Sequence, residues 1–569
     1  MKKFLAIFLS VLFMLSVFAL SACSGQNNDN NNPPSSEVEK SILNVGVFSS
    51  WGTSWAEQAA FEFEALYADT SFEEGKKGVD VIFDWGIDKF QPTNLLTAME
   101  RYDNTLYYVI QHDYTSYLGS RLLSSMTEAV TDKVYDEDGN LAMMDDGKGN
   151  YIPIGNKPAT LSMMDRVAYG ADEYYLEYDN NYYAAPWGVN ISGIIYDADL
   201  FSNKGYFFGA DGKMGKTLED VESGNCGTGP DYKMNTADDG MPVTYTDFIA
   251  LLAKMESDGV TPFTWAGQTT YQRARAFESI WANYEGPENF HLNFAVKDIT
   301  DEQLSQAGVK KPYEYLALQQ GRKAAIKFFY DIVENEYYTE KAFTQSGMQA
   351  GALYVKSIAT DNPIAFCVGA SNWENALSKE FGELVKETGN SNYAYGKRNF
   401  KIFPIPNFVD VEGIADQTNK DSREVLPGYY TDTLAFIANR PSCDNPTLQK
   451  HLAKLFLQFT SSRRQAVEFM SNTGGVMSMY KFTIEEHETS LLTKYGQDIC
   501  RYIKEGAVIV PYTEYASERK AKLTFNPFIL TGDNIQKYYY DPATAFKENP
   551  NLTVEECFKK VQTGVRSLF

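Results

Sequence analysis

Short apolar strands that alternate with amphipathic helices narrow the possible folds of this 569-residue chain more than any other feature. Ile42 to Phe48 alternates as a strand, Trp51 to Tyr67 reads as loop and helix, and Val79 to Asp84 and Leu106 to Ile110 are further strands. Strands separated by helices at this spacing predict an α/β protein with a largely parallel sheet, because a parallel pair needs a crossover long enough to hold a helix. The rhythm continues downstream. Thr244 and Asp247 make a capping-box-like pair, Phe248, Leu251, Leu252 and Met255 share one helical face, and Gly259 ends that helix. Pro363 to Val368 and Thr433 to Ala438 read as short apolar strands, and Leu452, Leu455, Phe456 and Phe459 mark another amphipathic helix. Hydrophobic residues are 44% of the chain, enough for two cores, and no internal repeat is evident.

The N-terminus has the layout of an export signal. Lys2 and Lys3 precede an uncharged apolar run from Phe4 to Leu20, and Leu20-Ser21-Ala22-Cys23 resembles a bacterial lipobox. That resemblance implies a signal peptide over residues 1–22, cleavage before Cys23 and a diacylglyceryl group on its thiol, since two acyl chains anchor stably where one does not. An ordinary signal peptide or an uncleaved anchor is the alternative. Residues 23–40, rich in Asn, Ser and Pro, then read as a flexible tether. The expected location is the outer face of a cell membrane, held by lipid alone, in a Gram-positive bacterium.

Charge and cysteine usage exclude several classes. The formal net charge of −24 becomes −26 once Lys2 and Lys3 are removed with the signal. No basic run offers a phosphate-binding surface, so no nucleic-acid partner is expected. After Cys23, the five cysteines Cys226, Cys367, Cys443, Cys500 and Cys557 show no CxxC spacing, and the four histidines fall in no zinc motif. No cofactor is expected, although calcium stays open beside plain turn chemistry at Asp136 to Asn140, at Asp145 to Gly147 and within Asp211 to Gly240. Ala210 to Thr217 nearly spells a phosphate-binding loop. Its first glycine is Ala210 and no apolar strand leads into it, which makes it a coincidence.

Five further segments occur in a meaningful order. Tyr182 to Asn190 with Gly193 to Phe201, then Pro242 to Phe248 with Thr261 to Trp265, then Ala365 to Trp373, Phe403 to Pro406, and Pro446 to Gly475 resemble the signature segments of family 1 extracellular solute-binding proteins. The resemblance spans residues 42–569. It implies a two-lobed periplasmic-binding-protein-like fold of type II, with a ligand cleft between lobes joined by hinge crossovers. One lobe is expected over 41–178 plus 428–475 and the other over 184–405 plus 480–569, with a loop insert at 205–242. The family's role implies a monomer that captures a sugar or oligosaccharide by closure and delivers it to an ABC import permease.

A pyranose presents an apolar C–H face and a rim of hydroxyls, so its receptor needs flat rings and fixed polar groups. Aromatic residues are 14% of the chain. Trp51 and Trp55 follow the first strand, and Trp187, Trp265 and Trp373 lie in the resembling segments, with Trp373 placed at the cleft by the family motif. Each indole could instead be core. Asp84, Asn190 and Asn372 are candidates for hydroxyls, Trp85 is an alternative platform beside Asp84, and Tyr429, like Tyr430, is a weaker candidate near a crossover. A surface-anchored glycoside hydrolase, a receptor for a peptide or other solute, and an adhesion or scaffold lipoprotein are the competing readings. No motif nominates a catalytic pair or nucleophile, which favours binding without chemistry.

Overall fold

The computed structural model describes residues 38–90, 92–101, 104–110, 121–168, 177–178, 180–268, 270–293, 298–417, 424–429, 433–440, 443–512 and 541–567. Lys40–Phe569 is one compact unit, and Met1–Glu39 is another, of which only Val38 and Glu39 are described. The expected signal peptide, Cys23 and nearly all of the tether therefore lie outside the described residues, as do Tyr430 and the side chain of Tyr429.

Strand β1 (Ser41–Phe48) leads to helix α1 (Ser54–Leu66), strands β2 (Val79–Gly86), β3 (Leu106–Ile110) and β4 (Ala185–Pro186), and the long strand β5 (Gly188–Asp197). Helix α2 (Tyr245–Ser257), strand β6 (Thr261–Thr264), helices α3 (Thr270–Glu285), α4 (Gly321–Glu334) and α5 (Gly347–Ser357), and strand β7 (Ile364–Ala370) follow. Next come the short helix α6 (Trp373–Ala376), α7 (Ser378–Thr388), and strands β8 (Phe400–Ile402), β9 (Val425–Tyr429) and β10 (Thr433–Ile437). Helices α8 (Pro446–Thr460) and α9 (Arg463–Thr473), strand β11 (Met477–Ser478), helix α10 (Lys494–Lys504) and strand β12 (Val508–Tyr512) complete the framework. Local chemistry sets the boundaries, as at α2, where the Thr244 hydroxyl accepts the Asp247 N–H and the Asp247 carboxylate accepts the Thr244 N–H.

Two sheets organise these elements. The first has the order β2-β1-β3-β10-β4, and the second runs β6-β7-β5-β9-β12 with β8 and β11 also paired to β5. Both are mixed, which corrects the expectation of a largely parallel sheet. The β1 pairs in the first sheet are parallel, as are β6 with β7 and β9 with β12. Strands that arrive from the other sheet, β10 and β5, run against their neighbours. The reason is topological: a chain that crosses over enters at the edge where the resident strands end.

Pairing also moves the boundaries between the halves. Ala185–Pro186 pairs with β10 in the first sheet, whereas Gly428 and Tyr429 pair with Ile191 and Asn190 in the second. Each differs by a few residues from the ranges read off the sequence.

Strand β5 is buried along its whole length and serves two cores. Val189, Ile191 and Ile195 face one with α5, α7 and α10, while Ile194 and Tyr196 face the other with α2, α3 and α4. Alternating residues take opposite faces, as a strand covered on both sides requires. The first of these cores continues through Trp51, Trp187 and Phe469 into the layer where Leu43, Val45 and Val47 of β1 meet Phe63 and Phe456. Among the described residues, no helix is long and apolar enough to cross a membrane.

Candidate functional site

Strand direction places the candidate site. In the first sheet β1, β2, β3 and β4 share one sense, so Phe48, Gly86, Ile110 and Pro186 end at one edge. In the second, β6, β7, β9 and β12 end at Thr264, Ala370, Tyr429 and Tyr512, at the edge where β5 begins. Only Trp187 separates β4 from β5, so the two edges meet at the crossover. Ligands on open α/β sheets bind beyond the C-terminal ends of strands. Backbone position brings all ten candidates to this border: Trp51 and Trp55 after β1, Asp84 and Trp85 at the end of β2, Trp187 in the crossover, Asn190 at the start of β5, Trp265 after β6, Asn372 and Trp373 after β7, and Tyr429 at the end of β9.

Side chains divide that set. Asp84 is about one-third exposed and ion-paired with Lys89, and its Oδ2 accepts the Asn104 amide at 3.0 Å. Trp85 is half-buried and stacked on Phe83 with ring centroids 4.6 Å apart. Asn372 is half-buried. Asn190 is buried and donates its Nδ2 to Asn372 Oδ1 at 3.0 Å, while its own Oδ1 accepts the Ser371 hydroxyl at 2.7 Å. This relay fixes the Asn372 amide so that its Nδ2 is the donor left to a ligand. Asn190 thus supports Asn372.

Five of the candidate indoles are buried. Trp265 is fully buried among Phe329, Tyr338 and Phe343 in the second core, with ring centroids 5.6 to 6.2 Å away. Trp373 is 7% exposed and receives Phe400 edge-on at 4.8 Å. Trp51, Trp55 and Trp187 close on one another, with centroids of 4.9 Å for Trp51 to Trp187 and 5.3 Å for Trp55 to Trp187, and Phe469 completes the nest. Trp265, Trp373 and Trp51 are packed against neighbouring rings, while Trp55 and Trp187 line a small pocket with Tyr108, Phe469 and Tyr480. Burial of an indole removes roughly 150 to 250 Å² from water, which is why strand-end tryptophans so readily become core. Lys89, Asn104, Ser371 and Phe83 were not found from sequence. Ser371 and Phe83 are near neighbours of Asn372 and Trp85 in sequence, whereas Lys89 and Asn104 reach Asp84 from five and 20 residues away, so their role becomes readable only once the edge is known.

The Asp-rich loops use their carboxylates locally. Asp136 Oδ1 accepts the Asp138 and Asn140 N–H groups at 3.0 and 2.9 Å, Asp145 Oδ1 accepts that of Gly147 at 2.7 Å, and Asp146 Oδ1 accepts those of Lys148 and Asn150. Asp238 and Asp239 likewise accept from Asp231 and Asn235, both at 2.8 Å. Burial and then the neighbouring Asp231 push Asp238 up to about 7. Among the described residues, no three metal-ligating side chains converge. Gly215-Lys216-Thr217 closes a hairpin between Phe207–Phe208 and Met214–Lys216, and Thr217 caps the helix Leu218–Glu222. A groove of about 640 Å³ lies elsewhere, against α2 and α4, and its Lys327 and Lys323 are neutralised by Asp331 at 2.6 Å and Glu555 at 2.7 Å.

No family model matches the chain. A probable sugar-binding periplasmic protein of Mesorhizobium japonicum is 37% identical over 76 residues, a stretch that covers 13% of this chain and only 18% of that relative. Solved structures match far more widely. A chitin oligosaccharide binding protein aligns with a TM-score of 0.52 and 12% identity over 93% of this chain and 98% of its own. A probable secreted solute-binding lipoprotein from Streptomyces coelicolor aligns with a TM-score of 0.51 and 12% identity over 92% and 98%.

Proposed function

We propose that this chain, which has the two-lobed fold of the solute-binding proteins, captures a sugar or oligosaccharide between its sheet edges and releases it unaltered to an ABC import permease. The carrying observation is the meeting of both strand-end edges at the crossover, with Asp84, Trp85 and Asn372 accessible there. Trp85 supplies a ring, Asp84 an acceptor for hydroxyls, and Asn372 a fixed donor, the combination a pyranose needs. The aligned stretch of the sugar-binding relative supports the carbohydrate class. The lipobox supports a lipid anchor at Cys23 on the outer membrane face. Closure would follow from ligand contacts that are complete only when both halves engage, so the closed state is selected by its higher affinity.

The test is a thermal-shift panel of galactose, maltotriose, xylotriose and chitotriose on the soluble chain from Ser24. At about 100 times its dissociation constant a true ligand adds roughly 2.7 kcal/mol of stability. A shift with one class, and intact sugar recovered afterwards, supports the reading. No shift with any glycan overturns the carbohydrate class, and cleaved sugar overturns the receptor.

A further inference from the structure

Helix α6 sits where the accessible donor, a buried acid and the crossover meet. Asn372 stands at its N-terminal boundary, at the proposed ligand edge. Two residues on, Glu374 is fully buried, its Oε1 accepting the Gly396 N–H at 2.9 Å. The Thr493 hydroxyl lies beside the carboxyl, and Oε2 makes no hydrogen bond. The next residue, Asn375, donates its Nδ2 to the Trp51 carbonyl across the crossover at 3.3 Å. Gly474, which ends α9 with φ of 77°, packs so closely that an added Cβ would come within 2.9 Å of Asn375 Cβ and 3.1 Å of the Tyr395 hydroxyl. One short helix therefore holds the proposed ligand donor at its start, a link to the first lobe behind it, and between them a buried carboxyl with only one oxygen hydrogen-bonded.

We infer that Glu374 is a positioning residue for ligand capture, which in its neutral form seats α6 so that Asn372 and Asn375 hold their contacts, and which unseats them when it ionises. This rests on the receptor reading for the ligand, but not for the movement of α6. Burial pushes Glu374 up to about 7, and the Gly396 and Thr493 contacts only partly offset it. Among the described residues, the ionisable groups that respond to it are the phenols of Tyr395 and Tyr495, both kept neutral by burial, which offer no charge to balance a carboxylate. Asp498, the Cys367 thiol and Arg275 also act on Tyr495. An ionised Glu374 must therefore recruit water or shift. Either response displaces the turn from Ser371 to Ala376.

The experiment compares the wild type with Glu374→Gln, which keeps the shape and cannot ionise, and with Glu374→Ala, at pH 6 and pH 8. Two readouts are taken: hydrogen exchange of residues 372–376, corrected for intrinsic base catalysis, and affinity for chitotriose or whichever panel sugar shifts melting most. Expected in the wild type are protection lost at least threefold and affinity weakened at least threefold at pH 8. In Glu374→Gln both differences vanish, and in Glu374→Ala protection is low at both values. Equal pH slopes in the wild type and Glu374→Gln, or full protection in Glu374→Ala, would overturn the inference. If no sugar binds, the carbohydrate reading fails by itself, and the exchange data still decide the role of Glu374.

Discussion

At the scale of single residues, burial decides which aromatic groups serve the ligand and which serve the fold. Trp265 and Trp85 both follow or end a strand at the same border, yet one is sealed by Phe343 and Tyr338 and the other is only half-buried, stacked on Phe83. Trp265→Ala should therefore cost about 3 to 5 kcal/mol of stability by leaving a cavity. Its effect on sugar affinity should not exceed that loss of folded protein. Trp85→Ala should reverse the pattern, with a small change in urea midpoint and about tenfold weaker binding, near 1.4 kcal/mol. Calorimetry on both variants checks this, and similar binding losses in the two would contradict it. Among the candidate rings Trp85 is the half-buried one, so it is the first to test for stacking on sugar.

Among the elements, β5 is the one on which both halves depend. Gly188, its first residue, lies so near Trp51 that a Cβ there would meet the indole Cζ3 at 2.8 Å. Gly188→Ala is expected to destabilise by about 1 to 3 kcal/mol through overpacking. A smaller ring at the contact should relieve it. Gly188→Ala combined with Trp51→Phe should cost less than the sum of the two single changes, a coupling that a double-mutant cycle measures. Additive effects would mean that the contact does not limit β5. Much of this level was legible beforehand: the strands near Ile42, Val79, Leu106 and Thr433 and the capped helix at Thr244 occur where local pattern places them. The mixed direction of the sheets was not, because strand sense depends on which lobe a segment enters from.

For the whole molecule, several buried carboxyls share one sign of shift. Burial pushes Glu374 and Asp238 up to about 7, and Asp498 and Glu285 up to about 6. Acids with raised folded-state values lend stability that is complete below their unfolded values near 4 and disappears as pH rises through 6 to 7. Glu488 works the other way: burial opposes it, but Arg463 outweighs burial and holds it below the usual range, so its contribution is lost in acid. The ligand-free chain should thus melt highest near pH 4 to 5 and several degrees lower at pH 8. A scan that rises steadily to pH 8 would contradict this. Closure on a ligand is a separate expectation at this scale, read as a smaller radius of gyration by X-ray scattering when the panel sugar is added.

Sequence by itself determined the alternation of strand and helix, the caps that bound particular helices, and the set of residues at strand ends where a site could open. These are local: spacing, turn residues and helix termini act over a few neighbours. Tertiary structure alone decided that Ala185–Pro186 and Tyr429 exchange sheets, that Asn190 supports Asn372 from within, and that Trp265 faces Phe343 rather than the border. Burial and pairing are settled by partners far along the chain, and a strand-end residue carries no mark of which partner will cover it.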